Sequence, residues 1–211
     1  LMRANGVDER FITGDAPARE KFQKWAETLG RCVGNPVFEW SHLELKRYFG
    51  YEGVLNGKTA QEVWDLANAK LAEASFTCRN LIKQSNVRMI CPTDDPADSF
   101  EWHKKIAADD SFDVQVVPAM RPDAALRIER GQEFADYCKH LSEVAGVEVS
   151  DFEGMKAAIS KRYDVAHELG CRASDHALDY VMYVPATADE IEAIFAKGLA
   201  AAAAPSVDAD A

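Results

Sequence analysis

The sequence predicts an α/β protein with a parallel sheet, and three observations support this fold class. Three short runs have the length and composition of buried strands: Val87 to Cys91, Val114 to Val117, and the residues after Gly170. A helix-patterned segment precedes each run, and each run ends in polar or charged residues. Because parallel strands present their carboxyl ends at one edge of a sheet, we expect the functional side chains there.

The region before the first strand is predicted to be helical. Apolar spacing indicates helices from about Asp15 to Leu29, from Pro36 to Phe49 and from Thr59 to Ala74. Asp15 and Thr59 are the expected capping residues of the first and third of these helices.

The helices between and after the strands are predicted from their caps. Asp95 is expected to cap a helix that ends near Ala107, and a strongly amphipathic helix follows over Phe134 to Ala145. Ser150 to Glu153 reads as a capping box that begins the helix leading to Gly170, and Thr187 to Glu190 begins the last helix.

These elements divide the chain into a helical subdomain over 1–85, a strand-bearing part over 86–199 and a low-complexity tail over 200–211. An open sheet of three parallel strands would expose unpaired edges. We therefore expect either a small open sheet beside a helical subdomain or a piece of a larger protein. Because the sequence starts with Leu1 and not with Met, we favour the second of these interpretations, a piece of a larger protein.

Composition excludes several classes of function. The 211 residues include 24 basic and 35 acidic side chains, which gives a net charge of -11 and disfavours binding to nucleic acid. No apolar run approaches the roughly 20 residues of a membrane helix, and the opening residues do not resemble a secretory signal. The five cysteines show no C-x-x-C spacing, so reduced, mostly buried thiols in a cytoplasmic protein are expected.

The strongest candidates for chemistry follow the third run. Asp175 could act as a base or hold a substrate hydroxyl, and His176 could bind a metal or relay protons. The alternative is that Asp175 caps the next turn and His176 packs sideways.

Further candidates follow the first two runs. Arg121 could hold a carboxylate or phosphate through two parallel hydrogen bonds, or it could form a surface pair with Asp123. Asp94 and Asp95 could contribute to a metal site, although Asp95 before a proline is typical of a helix cap.

The remaining histidines and the tryptophans are interpreted as structural. Four histidines lie on helical stretches without a second ligand at metal spacing, and we expect each at the surface or partly packed: His42, His103, His140 and His167. Four tryptophans on helix faces are expected in the core: Trp25, Trp40, Trp64 and Trp102. Nucleotide-binding and nucleophile-elbow motifs do not occur.

Taken together, the motifs resemble the uronate isomerase (glucuronate isomerase) family of the amidohydrolase superfamily. The resemblance extends to about residue 183, and the motifs that carry it include Thr13-Gly14-Asp15-Ala16, Gly34-Asn35-Pro36, His42-Leu43-Glu44-Leu45, Thr93-Asp94-Asp95-Pro96, Arg121-Pro122-Asp123 and Ser174-Asp175-His176-Ala177-Leu178-Asp179. Met120 stands where the family usually has an aromatic residue, and Pro92 where it has a small hydroxyl residue.

The resemblance implies a partial (β/α)₈ TIM barrel and reversible aldose–ketose isomerisation of hexuronates. The expected reactions are D-glucuronate to D-fructuronate and D-galacturonate to D-tagaturonate. Arg121 matches the family's substrate-binding arginine, and Asp175 matches its active-site aspartate, which would position the substrate hydroxyls or transfer a proton at them.

The resemblance also implies that the chain is an internal fragment. The family's H-x-H metal motif would precede this chain, and a further His and an Asp-x-Arg would follow it. A divalent metal such as zinc is thus expected only in the parent protein, and the fragment alone is expected to be inactive. Its unpaired sheet edges lead us to expect homo-oligomers. The alternative is a non-catalytic α/β module that binds an anionic sugar or a protein partner through Arg121 and Asp175.

Overall fold

A computed structural model describes residues 1–178 and 183–200 of the chain. The chain divides into two units, Leu1–Asn86 and Val87–Ala211. The predicted tail from residue 201 onward lies outside the described residues, as does Asp179. No helix in the described ranges is both long and apolar enough to cross a membrane.

The regular elements of the first unit, all of whose residues are described, are helical. They comprise short 3₁₀ turns at Arg3–Asn5 and Glu9–Phe11, and the helices α1 (Ala18–Leu29), α2 (Pro36–Glu44), α3 (Ala60–Leu71) and α4 (Cys78–Gln84). The core of this unit consists of Ala26, Leu29, Leu55, Ala60 and Val63. The helical prediction for this part of the chain is therefore confirmed.

Local chemistry explains where α2 begins and ends. The Asn35 side chain accepts a hydrogen bond of 3.0 Å from the N–H of Val37, and Pro36 occupies the first helical position. The helix continues as a π-helical turn over Leu45–Phe49. Gly50, at φ 72°, ends it in the left-handed conformation that glycine adopts without strain.

The two predicted side-chain caps of the first unit are wrong. Asp15 lies before α1, whose N-cap position is taken by Pro17 without a side-chain hydrogen bond. Thr59 does occupy the N-cap position of α3, but its hydroxyl instead accepts from the N–H of Asn56 and donates to the carbonyl of Val54. The preceding loop therefore uses the group that was expected to cap the helix.

Parallel pairing brings the three predicted strand regions together in the second unit. Strand β1 (Met89–Ile90) pairs with β3 (Gln115–Val116), and β2 (Thr93–Asp94) pairs with β4 (Ala119–Met120). A parallel bridge between Met120 and Ser174 adds the third region. The spatial order is therefore first, second, third, and all three carboxyl ends lie at one edge.

The first two strand regions form a longer ladder than the short strands suggest. Four backbone N–H groups, those of Gln115, Val117, Ala119 and Arg121, donate to the carbonyls of Arg88, Ile90, Pro92 and Asp94 over 2.8 to 3.2 Å. The register would require the N–H at position 92 to donate to the Val117 carbonyl. Proline has no N–H, so Pro92 interrupts the ladder and divides each region into two strands.

The described helices of the second unit are α5 (Glu101–Ala107), α6 (Gln132–Ala145), α7 (Phe152–Glu168) and α8 (Ala188–Ala200), with 3₁₀ turns at Asp123–Leu126 and Ile128–Arg130. The last three of these helices bury a separate apolar core. Phe134, Leu141 and Phe195 lie in this core. The capping box predicted at Thr187 and Glu190 is confirmed, since Thr187 accepts from the N–H of Glu190 and Glu190 from that of Thr187. The start of α7 lies where the sequence predicts it, but its cap is Asp151, which accepts from the N–H of Gly154, and not Ser150, the first residue of the predicted capping box.

The predicted cap at Asp95 is wrong, because α5 begins six residues later, at Glu101. The Asp95 carboxylate accepts from the N–H of Ala97 at 2.8 Å and so closes a tight turn. Phe100, at φ 55°, then adopts a left-handed conformation, which is incompatible with a continuous helix from Pro96.

Two of the four tryptophans that were predicted to lie in the core are exposed instead. Trp40 is 61% exposed and Trp102 is 66% exposed. The ammonium group of Lys105 lies 4.1 Å from the centre of the exposed Trp102 ring and forms a cation–π contact with it.

Candidate functional site

Arg121 and Asp175 meet at the carboxyl edge of the sheet. The backbone N–H of Arg121 donates to the Asp94 carbonyl at 2.8 Å, and that of Asp175 donates to the Met120 carbonyl at 3.1 Å, so the ladder fixes both residues. Arg121 Nε donates to Asp175 Oδ1 at 3.1 Å, and Nη2 donates to Oδ2. Arg121 therefore pairs with Asp175, and the sequence-based alternative of a pair with Asp123 is wrong.

This bidentate pair keeps both groups charged. The hydrogen bond from Arg121 lowers the pKa of Asp175, and the same bond raises the pKa of Arg121. A carboxylate held in this way is a weak base, because protonation would break its contact with the guanidinium. About a third of the Arg121 side chain is still exposed to solvent and can be reached by a ligand.

A second acid–base pair joins the same two strand ends. His176 Nδ1 lies 2.9 Å from Asp123 Oδ1, and Asp123 Oδ2 accepts from the N–H of Ala177 at 2.9 Å. Burial opposes ionisation of Asp123, but the Ala177 N–H and the His176 imidazole outweigh it, so the pKa of Asp123 lies below its usual range. The sequence placed His176 at this edge without identifying its partner.

A buried pair lies at the end of the first strand. His103 Nε2 lies 2.8 Å from Asp94 Oδ1, and His103 Nδ1 lies 3.3 Å from the carbonyl oxygen of Val116. His103 is only 7% exposed, so the prediction of a surface or partly packed histidine is wrong. Through Asp94 and the Val116 carbonyl, His103 fastens α5 to the first and second strand regions.

Asp95 adjoins the edge but faces α6. The Tyr137 hydroxyl donates to Asp95 Oδ1 at 2.9 Å. Burial raises the pKa of Asp95, although the N–H of Ala97 and the Tyr137 hydroxyl oppose this effect. Burial and the neighbouring Asp95 likewise raise the pKa of Tyr137. Asp95 therefore joins a turn to a helix.

Ser174 takes part in positioning the edge. Its hydroxyl donates to the Met120 carbonyl at 2.8 Å and lies 2.8 Å from the hydroxyl of Tyr163, which α7 contributes. These bonds add to the parallel bridge between Met120 and Ser174. The backbone that carries Asp175 is thus fixed from two directions.

The edge suits a polar anionic ligand better than a metal ion. Among the described residues it offers a guanidinium with donors that Asp175 does not use, an imidazole, and the hydrogen-bonded carboxylates of Asp175 and Asp123. Across the residues that the structure describes, no group of three His, Cys, Asp or Glu side chains could hold a metal ion. The described residues therefore do not form a metal site by themselves.

Sequence reasoning identified the strand ends but not the pairs between them. Asp123 lies two residues after Arg121, and this spacing is the signal that could have placed it at the same edge. His103 and Tyr137 gave weaker signals, because only the packing of α5 and α6 shows which side of each helix faces the strands.

Comparison with known proteins agrees with the observed architecture. The sequence profile of the glucuronate isomerase family matches residues 1–210. A uronate isomerase of Lachnospira eligens is 61% identical over 196 residues, which are 93% of this chain and 42% of that protein. One of Endomicrobium trichonymphae is 56% identical over 202 residues, which are 96% of this chain and 43% of its own length.

Solved structures show the same likeness. The crystal structure of a uronate isomerase from Thermotoga maritima superposes with a TM-score of 0.83 at 35% identity, over 94% of this chain and 43% of that one. A glucuronate isomerase from Caulobacter crescentus gives the same TM-score at 23% identity, which supports the fold alone. The chain thus spans less than half the length of these relatives. On the match over residues 1–210, the chain belongs to the glucuronate isomerase family.

Proposed function

We propose that this chain is part of a hexuronate aldose–ketose isomerase. The reactions would convert D-glucuronate to D-fructuronate and D-galacturonate to D-tagaturonate. The observation that carries the proposal is the family match along residues 1–210, together with relatives named uronate isomerase at up to 61% identity. These matches do not favour the alternative of a non-catalytic module.

In the proposed architecture, the three parallel strand regions are consecutive strands of a (β/α)₈ barrel. Residues 86–199 would be the partial barrel, and residues 1–85 a helical insertion. The shared carboxyl edge of the strands supports this proposal, since barrel enzymes carry their active sites there.

Arg121 would bind the substrate carboxylate or another substrate oxygen. A guanidinium has five N–H donors in a planar fork. Asp175 receives one hydrogen bond from Nε and one from Nη2, so among the described residues three donors remain for a ligand. The side chain is one-third exposed and therefore accessible from solvent.

Asp175 would act mainly by holding Arg121 in this orientation. Both of its oxygens face the guanidinium, and its pKa is lowered by that contact. It can still accept hydrogen bonds from substrate hydroxyls through its remaining lone pairs. This geometry favours positioning over proton transfer, the two roles that the resemblance left open for Asp175.

The remaining parts of the site would lie in segments beyond this chain. The resemblance places a metal-binding H-x-H before it and a His and an Asp-x-Arg after it. The described residues supply no set of three metal ligands, so no reaction step through a metal is assigned to them.

The reaction can be tested with the full-length protein in D₂O. We expect ¹H NMR to show a ketose forming from D-glucuronate and from D-galacturonate, with any solvent deuterium confined to C1 of the ketose and C2 of the recovered aldose. Such labelling is required by proton transfer between C1 and C2 through an enediol. The proposal would be overturned if neither sugar yields a ketose, or if deuterium appears at C5.

A further inference from the structure

Arg162 is a charged residue of α7 that lies in the protein interior. The residue is 6% exposed, and among the described residues both of its hydrogen bonds go to backbone carbonyls. Nε donates to the Pro96 oxygen and Nη2 to the Asp98 oxygen, each over 2.7 Å. Because burying a cation costs hydration free energy, much of the stability that these bonds contribute is offset. Their structural effect is to fix the positions of the two carbonyls.

Both carbonyls belong to the loop that joins the first strand region to α5. The loop follows Asp94, whose own carbonyl accepts the backbone N–H of Arg121 at 2.8 Å. It ends at Phe100, whose φ of 55° is a left-handed conformation that costs free energy for residues other than glycine. Such a conformation persists only where surrounding contacts hold it, so this loop needs an anchor.

The Phe100 ring is held on two sides. Phe100 is 3% exposed, and the guanidinium carbon of Arg162 lies 4.9 Å from the centre of its ring. The ring also belongs to a small buried core with Met120, Ala166 and Cys171. Met120 and Cys171 come from the second and third strand regions. This core therefore connects the loop after the first strand region to the other two.

The next residue on α7 holds the third strand region. The Tyr163 hydroxyl lies 2.8 Å from the hydroxyl of Ser174, which donates to the Met120 carbonyl. The same carbonyl accepts the backbone N–H of Asp175. Since Arg162 and Tyr163 are adjacent, one turn of α7 holds both the loop after the first strand region and the end of the third.

We propose that Arg162 is a positioning residue for the substrate-binding edge, which it sets by holding the loop after the first strand region. This inference rests on the proposed isomerase function. Arg162 would act through the backbone: the loop fixes Asp94, and the Asp94 carbonyl fixes the residue that presents the Arg121 guanidinium to the substrate. Lysine could not replace it, because an ammonium group lacks the planar fork that donates to two carbonyls while its face covers an aromatic ring.

The alternative is that Arg162 only stabilises the fold. Its replacement would then lower stability throughout the second unit, and any loss of activity would be independent of the Arg121–Asp175 pair. Independent effects on kcat/KM multiply, whereas effects that act through the same contact do not. A double-mutant cycle therefore separates the two roles.

The cycle uses the full-length protein with Arg162→Lys, with Asp175→Asn and with both changes. We expect Arg162→Lys to lower kcat/KM for D-glucuronate at least about tenfold, but less than about threefold when Asp175 is already replaced. The losses should not multiply, because both changes disturb the same orientation of Arg121. Lys161→Met is the matched control, since this neighbouring cation on α7 is exposed, and it should keep wild-type kinetics.

Peptide-resolved hydrogen exchange on the same proteins gives a readout that does not depend on catalysis. We expect Arg162→Lys to speed exchange in peptides that contain residues 95–100 and the N–H of Arg121. Peptides from α6 should exchange at the wild-type rate, because that helix lies outside the anchored loop. Equally faster exchange in α6, or a variant that does not fold, would assign Arg162 to global stability and overturn the inference.

The kinetic outcomes also separate this inference from the proposed function. Wild-type kcat/KM in Arg162→Lys, or losses that multiply in the double variant, would overturn the inference alone. Absence of isomerisation by the wild-type protein would instead refute the proposed function. In that case the exchange rates still decide whether Arg162 holds the edge.

Discussion

At the scale of single residues, the Arg121–Asp175 pair is central to the proposed site. Two hydrogen bonds join the guanidinium to the carboxylate, and each backbone is fixed by the sheet. Removing either member would leave the other group without its partner and without a fixed direction. Replacement of either side chain should therefore disturb the other one as well.

We expect Arg121→Met and Asp175→Asn to lower kcat/KM for D-glucuronate at least about tenfold in the full-length protein. The methionine cannot bind a carboxylate, and the asparagine lacks the charge that aligns the guanidinium. Arg130→Met serves as a matched control, because Arg130 pairs with Glu129 and Glu133 outside the edge. Steady-state kinetics close to wild type for both site variants would contradict the assigned roles.

The cysteines give a second prediction at this scale. Cys78 and Cys91 are exposed, whereas Cys32, Cys138 and Cys171 are buried. Burial also raises the pKa of Cys138 to about 11, which suppresses the reactive thiolate. The five thiols are free in the structure.

A disulfide reagent should therefore modify two thiols rapidly in the native 211-residue chain and the other three only after denaturation. Absorbance of the released thiolate gives the count. Alanine replacement of the two exposed cysteines should abolish the fast phase. Rapid reaction of three or more thiols in the native chain would be inconsistent with the observed burial.

The sequence could place Arg121 and Asp175 at an edge because both follow strand-like runs. It could not show which side chains pair, because the pair joins residues 54 positions apart through the register of two strands. His103 was misjudged for a related reason. Its burial depends on how α5 packs against the strands, and a single histidine on a helix does not reveal that.

At the scale of elements, the strand predictions were correct in position and too short in length. The apolar runs end at Cys91 and Val117, but backbone pairing continues to Asp94 and Arg121. Polar residues can continue a ladder because the backbone supplies the bonds. The division at Pro92 was not predicted, although the missing N–H of proline explains it.

The cap of α7 provides a stability test. The Asp151 carboxylate accepts from the N–H of Gly154 at 2.6 Å, and loss of such a cap costs about 1 kcal/mol. Asp151→Ala should therefore lower the free energy of unfolding by about that amount in chemical denaturation. The neighbouring exposed Ser150→Ala should change it by less than about 0.5 kcal/mol. An equal loss in both variants would argue against Asp151 as the cap.

At the scale of the whole molecule, sheet edges determine how the chain should behave in isolation. Among the described residues, the first and third strand regions each have a sheet neighbour on one side only. Exposed parallel edges favour pairing with other chains. We therefore expect the isolated 211-residue chain to self-associate, measured by light scattering during size exclusion. A monomer across a wide concentration range would contradict this expectation.

Fold class and function followed from different kinds of sequence information. Alternating helical and strand-like patterns predicted an α/β unit, but three strands alone could not distinguish an open sheet from part of a barrel. The family motifs, including Arg121-Pro122-Asp123, supplied the isomerase assignment that the family match then supported. The pairs that organise the edge became visible only in three dimensions.

The central claim is that this chain contributes the Arg121–Asp175 edge to a hexuronate isomerase and needs further segments for activity. Its most direct test is a time course of D-glucuronate, followed by ¹H NMR, with the full-length protein and with the 211-residue chain at equal molar concentration. We predict ketose formation by the full-length protein and none above the buffer control by the isolated chain. Turnover by the isolated chain, or none by the full-length protein, would contradict the account.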